Sequence, residues 1–88
     1  MKIDPERRQQ AFDAIQPVFA NCLGIAPSAV KPGLHLANDL KADALDLIEI
    51  VFDAEKAFDL DIPDEDLPRL VSVDEWTDYV ALRARRMP

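Results

Sequence analysis

The stretch that decides the fold is "DALDLIEIVFDAEKAF", residues 43–58. A helix turns by about 100° per residue, which places Leu47, Ile50, Val51, Ala54 and Phe58 on one arc. That arc is the expected core stripe. Ala44, Leu45, Ile48 and Phe52 occupy the adjoining arc and are not needed to complete an ordinary core face. Asp46, Glu49 and Asp53 lie beyond them, so the order around the helix is core, apolar shoulder, acidic rim. Asp43 suits the cap position, and Asp46 adds a negative charge to the first turn, where the helix dipole favours one. An apolar shoulder bordered by carboxylates reads as a docking surface, with apolar contact supplying affinity and charge supplying orientation. The shoulder can instead pack beneath the loop preceding the helix. For Ile48 the two readings balance, whereas the acids beside Leu45 and Phe52 favour exposure.

Upstream, "IDPER" opens a first helix, with Asp4 as cap and Pro5 at the first helical position, where its missing N–H costs nothing. Phe12, Ile15, Phe19 and Cys22 recur at spacings of three and four. Pro17 falls inside this pattern and is expected to kink or split the helix near residues 13–17. Gly24 stops the segment. A connection of about 18 residues follows, held extended by Pro27 and Pro32, with Leu34 and Leu36 expected to turn inward. The second helix is expected to run to about Phe58; downstream, "DLDIPDED" breaks it at Pro63, with one short turn over residues 64–67 cut off by Pro68. The last helix carries the S-x-x-E capping box of Ser72 and Glu75, flanked by Val71 and Trp76 as a hydrophobic staple. Trp76, Tyr79 and Val80 face inward, and the arginines that follow complement the dipole at its end. No alternating strand pattern competes. The expected fold is all-α: residues 1–88 form a single domain, a small four-helix bundle of three main helices and one short one. A long loop joins its first two helices.

The bulk properties agree with a small globular domain. The chain has 88 residues, 49% of them hydrophobic, and a net charge of −7. Eleven of its acids fall between Asp39 and Asp66, opposed there only by Lys41 and Lys56. Such a concentration repels nucleic acid and steers basic protein partners, although a solubilising face explains the same charge. No apolar run reaches the roughly 20 residues of a membrane span. "MKIDPERRQQ" is polar, so no signal peptide is expected. With Cys22 as the sole cysteine there is no internal disulfide, and a cytoplasmic monomer is the default. Cys22 itself reads as a small buried hydrophobe.

Enzyme chemistry finds little support. There is no nucleophile–base constellation, no glycine-rich phosphate loop and no spaced set of metal ligands. His35 stands alone. The acids at 59–66 lack the spacing of a calcium loop, and Pro63 interrupts them. Neither a catalytic residue nor a metal site is expected.

"DLKADALDLIEIVFDAEKAFDLDIPDED" resembles the central motif of acyl carrier proteins, D-L-G-x-D-S-L-D followed by an acidic helix and F-x-x-x-I-P-D-E. "LGI" at residues 23–25 and "SVDEWTDYV" at 72–80 resemble the end of that family's first helix and its last helix. The likeness runs from about residue 12 nearly to the end of the chain. It implies a bundle that shuttles acyl groups between enzymes of fatty-acid, polyketide or related lipid biosynthesis. In that family the Ser of D-S-L bears 4′-phosphopantetheine, whose thiol holds the acyl chain. The helix starting there docks on basic patches of partners such as the phosphopantetheinyl transferase, ketosynthases and acyltransferases. Carried over, the docking residues are Asp43, Leu45, Asp46, Ile48, Glu49, Phe52 and Asp53, and the acyl pocket is lined by Leu47, Ile50, Val51 and Ala54.

Four residues depart from this pattern, two of them, Pro17 and Pro68, by sitting inside helical segments. Lys41 replaces the usual Gly. Ala44 stands at the attachment position, and a methyl group forms no phosphodiester, so no prosthetic group is expected on this chain. Ser28 and Ser72 offer hydroxyls in the wrong context. Two accounts of Ala44 stay open: a Ser-to-Ala alteration that keeps a working carrier unmodified, or a natural acyl-carrier-like interaction module that binds a partner without cargo. The intact cap, shoulder and rim suit the first.

Overall fold

A computed structural model describes residues 3–88. Three α-helices build the bundle: α1 (Pro5–Leu23), α2 (Ala44–Phe58) and α3 (Val73–Arg83). Two 3-10 segments join them: η1 (Pro27–Ala29) in the first connection and η2 (Asp64–Arg69) in the second. The fold is therefore all-α, with η2 as the short fourth helix. The core joins all three α-helices. Ile15 and Phe19 of α1, Ile50, Ala54 and Phe58 of α2, and Val73 and Val80 of α3 are fully buried, and Trp76 nearly so. At its centre the rings of Phe19 and Trp76 meet edge to face, with centroids 5.9 Å apart and planes at 84°, an arrangement favoured by the ring quadrupoles.

Helix α1 is not split at Pro17. Proline removes the bond to the carbonyl four residues back. That carbonyl belongs to Asp13, which is exposed, while Ile15 and Phe19 on either side are seated in the core. Packing of the apolar face thus holds the helix across the missing bond. Its end is set by Gly24 at φ 66°, left-handed backbone that glycine takes without a Cβ clash.

The long connection is ordered by its own bonds. The Gln16 side chain donates to the carbonyls of Pro27 and Val30 at 2.7 and 3.1 Å. Residues 34–36 then lie antiparallel to residues 71–73. Leu36 N donates to Val71 O at 3.0 Å, and Val73 N donates to Leu34 O at 2.9 Å. This pairing buries Leu36 and leaves Leu34 and His35 half-buried. His35 is a hinge of local bonds: its Nδ1 accepts from Asn38 N at 3.1 Å, and its own N–H donates to Asp39 Oδ2 at 2.7 Å.

One helix boundary and one capping role differ from the reading of the sequence. Helix α2 ends at Phe58, where the sequence placed its end, and Asp59 after it adopts left-handed backbone at φ 49°. Aspartate tolerates that region better than most residues. The short helix runs through Pro68 to Arg69, since proline fits the tighter turn when its N–H is not needed. Arg83 stands in the last turn of α3 as expected, but Arg85 and Arg86 do not serve that end. Arg85 N and Arg86 N both donate to Phe58 O at 3.0 Å, and the Arg86 guanidinium reaches the carbonyls of Lys56 and Ala57. They cap α2. The end of α3 is met instead by Arg7, which donates to Ala81 O and Ala84 O at 2.9 Å each.

Candidate functional site

The site is built on α2. Its N-terminus is closed by a reciprocal box: Asp46 N donates to Asp43 Oδ1 at 2.8 Å, and Asp43 N donates to Asp46 Oδ2 at 3.0 Å. The sequence pattern suggested the first bond; an aspartate replacing the usual Glu or Gln at the third position hid the second. The preceding turn needs Lys41 at φ 62°. This left-handed residue lets Ala42 N donate to Leu36 O at 2.9 Å and buries the Ala42 methyl. Asp43 then emerges at the cap.

The shoulder is exposed. Leu45 is 75% accessible, Ile48 63% and Phe52 62%. Ile48, for which loop packing was equally expected, faces solvent like its neighbours. Ala44 is exposed at the first turn and offers only a methyl group. Along the rim the carboxylates differ. Asp43 and Asp46 each commit one oxygen to the cap and keep the other. Glu49 is exposed. Asp53 is half-buried and accepts from Cys22 Sγ at 3.2 Å. Burial, and then that bond to Asp53, push the Cys22 thiol up to about 12. At the far end, Lys56 Nζ sits 5.8 Å from the centre of the Phe52 ring, a cation–π contact that closes the patch.

A groove of about 340 Å³ opens beside the shoulder. Leu47, Ile48 and Val51 form its α2 wall, and Asp64, Leu67 and Leu70 form the wall of η2. Trp76 of α3 lines it as well. Ile50 and Ala54, expected beside Leu47 and Val51, lie wholly in the core and do not line the groove. The opposite wall was not foreseen. Its signal was the Leu67–Leu70 spacing, obscured by Pro68. Helix η2 is tied to α3 by one cluster: Tyr79 OH donates to Asp66 Oδ2 at 2.8 Å, and Arg83 pairs with the same carboxylate at 3.5 Å. Arg83 also lies 4.6 Å from the centre of the Tyr79 ring. Burial, followed by the bond to Asp66, pushes the Tyr79 hydroxyl up to about 12. A wider hollow of about 800 Å³ lies between Pro17–Ile25 and Asp53–Ala57, on the other side of α2.

An exposed helix with an apolar face, a narrow groove beside it and a compact bundle behind it place the chain among small helical bundles with one helix face left open. Comparison with known proteins agrees. The family model described as "Phosphopantetheine attachment site" matches residues 13–80. An acyl carrier protein of Rubrobacter xylanophilus is 40% identical over 73 residues, covering 83% of this chain and 90% of that protein. One from Campylobacter fetus is 36% identical over 69 residues, covering 78% of this chain and 90% of its own length. Among solved structures, the apo doublet acyl carrier protein from prodigiosin biosynthesis superposes with a TM-score of 0.79 at 22% identity. It is matched by 98% of this chain, which spans 42% of that longer chain; at this identity the likeness shows the fold. The chain belongs to the acyl carrier protein family, whose members are carriers for phosphopantetheine-linked cargo and not enzymes. No helix among the described residues is long and apolar enough to cross a membrane.

Proposed function

We propose that this protein is an acyl carrier of fatty-acid, polyketide or related lipid biosynthesis, in a form that partners recognise but that cannot be loaded at position 44. The observation that carries this reading is the solvent-facing row of Leu45, Ile48 and Phe52, edged by Asp43, Asp46, Glu49 and Asp53, beginning one residue after Ala44. Apolar side chains that remain exposed on a helix capped at both ends offer a preformed contact surface. Carboxylates beside them favour a basic partner, such as a phosphopantetheinyl transferase, ketosynthase or acyltransferase. Leu47 and Val51 are the part of the expected acyl pocket that reaches the groove. A cytoplasmic location goes with this role.

The residue at position 44 does not fit the family's prosthetic group. A methyl carbon offers no lone pair for phosphoester formation. Ser72 Oγ is engaged by Glu75 N at 3.2 Å, and Ser28 lies in the short η1 turn. The test is Ala44→Ser. Incubated with coenzyme A and a phosphopantetheinyl transferase, the variant should gain the mass of one phosphopantetheinyl group and the present chain should not. Failure with several competent transferases would overturn the carrier reading.

The absence of the hydroxyl beside an intact patch favours a second reading, an interaction module without cargo. Under it the chain binds a partner enzyme as it stands, and Glu49→Lys with Asp53→Lys slows association and flattens its salt dependence. Unchanged binding would reduce the rim to a solubilising face.

A further inference from the structure

The turn that leads into α2 is capped by a histidine. His35 Nδ1 accepts from Asn38 N at 3.1 Å, and Asp39 Oδ2 accepts from His35 N at 2.7 Å. This is the reciprocal pattern of a capping box, with an imidazole where a hydroxyl usually stands. Asp39 N and Leu40 N close the same turn on His35 O, at 2.9 and 3.1 Å. Asn38 joins this turn to the next. Its N–H rests on the imidazole, while its carbonyl accepts from Lys41 Nζ at 2.8 Å. Lys41 in turn holds the left-handed backbone that seats Ala42 N on Leu36 O and brings Asp43 to the cap of α2.

An N–H can donate to Nδ1 only while that nitrogen carries no proton, so the bond requires a neutral ring with its proton on Nε2. Histidine ordinarily changes charge between about pH 5 and 8. A serine or asparagine cap accepts throughout that range, and an imidazole does not. Once protonated, its Nδ1–H meets Asn38 N–H, donor against donor. The charged groups around the turn come from two elements. Within the loop, Lys41 is bonded to Asn38 O and Asp39 to the His35 backbone. On the α3 side, Glu75 accepts from Val71 N and Ser72 N in the segment paired with His35, and Asp74 is held by Arg8 at 3.4 Å. The Asp39 carboxylate is therefore an acceptor in the same turn for an imidazolium.

We propose that His35 is a pH-sensitive latch on the start of α2. Neutral, it holds Asn38 and the turn that leads to Asp43. Protonated, it releases Asn38 N–H and turns to the Asp39 carboxylate. Because one bond replaces another, the effect falls on the turn and not on overall stability. The helix whose first turn it steadies bears Leu45, Ile48 and Phe52, so acidification loosens the near end of that patch. The latch acts whether or not position 44 is ever loaded.

The chain has one histidine, so the nitrogen-15-labelled protein gives a single imidazole titration by NMR. Ring nitrogens and backbone amides are followed from about pH 8 to about pH 5, in the present chain and in His35→Asn. The asparagine oxygen accepts across that range and keeps the cap. The expected result at the alkaline end is a ring protonated on Nε2 alone. As the imidazole titrates, the Asn38 amide proton should move upfield and lose about fivefold in protection against exchange, the contribution of one cap bond. The amides of Ala42 to Leu45 should shift with the same midpoint, and all of them should stay in place in His35→Asn. A neutral ring protonated on Nδ1, or an Asn38 amide that moves no more than in His35→Asn, overturns the latch. Movement at Asn38 with none at Ala42 to Leu45 overturns its hold on α2. If His35→Asn does not fold, the ring tautomer and the Asn38 titration of the present chain decide.

Discussion

Lys41→Gly is expected to stabilise the protein. Lys41 sits at φ 62°, where an L side chain crowds its own backbone at a cost of roughly 1–2 kcal/mol. Two losses oppose the relief. Glycine surrenders more freedom on folding, roughly 0.5–1 kcal/mol. The Lys41 Nζ also donates to Asn38 O at 2.8 Å in an exposed position, and such a bond contributes at most about 0.5 kcal/mol. The central difference is a gain of about 0.5 kcal/mol, or roughly 2–4 °C in melting temperature for a chain of this size. Lys41→Ala is the control: it loses the same side-chain bond and keeps the strain, so it should be neutral or slightly less stable than the parent. Thermal unfolding of all three, followed by far-UV circular dichroism, gives the answer. A glycine variant no more stable than the alanine variant would refute the reasoning, because it would mean that residue 41 does not hold left-handed backbone in solution. The turn matters for more than stability. It places Ala42 in the core and Asp43 at the cap, and so sets the start of α2.

Three further outcomes follow from the same bonds. The Cys22 thiol and the Tyr79 hydroxyl are pushed up to about 12 from 9.0 and 10.0, chiefly by burial and then by their bonds to Asp53 and Asp66. The unfolded chain therefore releases these protons first, and stability present below pH 9.0 should decline as pH rises toward 12. Urea midpoints that do not fall across that window would refute this, and Asp53→Asn should speed alkylation of Cys22. Arg86→Ala strips the carbonyls of Lys56 and Ala57 of their side-chain donor. It should cost about 0.5–1 kcal/mol at this exposed helix end, with amide exchange rising at the C-terminal turn of α2; unchanged exchange there would count against the cap. Ser72→Ala breaks the box at the start of α3, where Glu75 Oε1 also accepts from Ser72 N at 2.9 Å. A loss of about 1 kcal/mol is expected by chemical denaturation, and an unchanged midpoint would refute it.

The legible parts of the fold were those set by local chemistry. Asp43 and Ser72 cap helices wherever a periodic apolar run follows them, and the stripe of Ile50, Ala54 and Phe58 could be placed from spacing alone. The misread positions are those where distant residues decide. Pro17 looked like a break because the sequence does not show Ile15 and Phe19 locked against α3. The arginines at 85 and 86 looked like the end of α3, yet their partners are carbonyls at the end of α2, nearly thirty residues earlier. The groove was half visible. Leu47 and Val51 were in the periodic stripe, whereas Leu67, Leu70 and Trp76 face them only once η2 has folded back along α2. Ile50 and Ala54 share the stripe with Leu47 but sit deeper on its arc, where a period of 3.6 residues cannot separate core from cavity wall.

What secures α2 lies outside its exposed face. Its N-terminus is held by the carboxylates of Asp43 and Asp46, and its C-terminus by the left-handed turn at Asp59 and the guanidinium of Arg86. Its inner stripe is held by the core. None of these bonds involves the side chain of residue 44, which is exposed between the cap and Leu45. A serine or an alanine there should therefore leave both the helix and the adjoining patch in place, since surface changes away from caps and cores are usually within about 0.5 kcal/mol. Equal melting temperatures for the present chain and Ala44→Ser would show that the helix carrying the exposed patch is equally stable whichever residue stands there. The fold then imposes no link between presenting a surface and bearing a cargo. On the proposed reading the hydroxyl alone provides that link, and residue 44 is a position where it can be given or withheld without disturbing the bonds that hold α2.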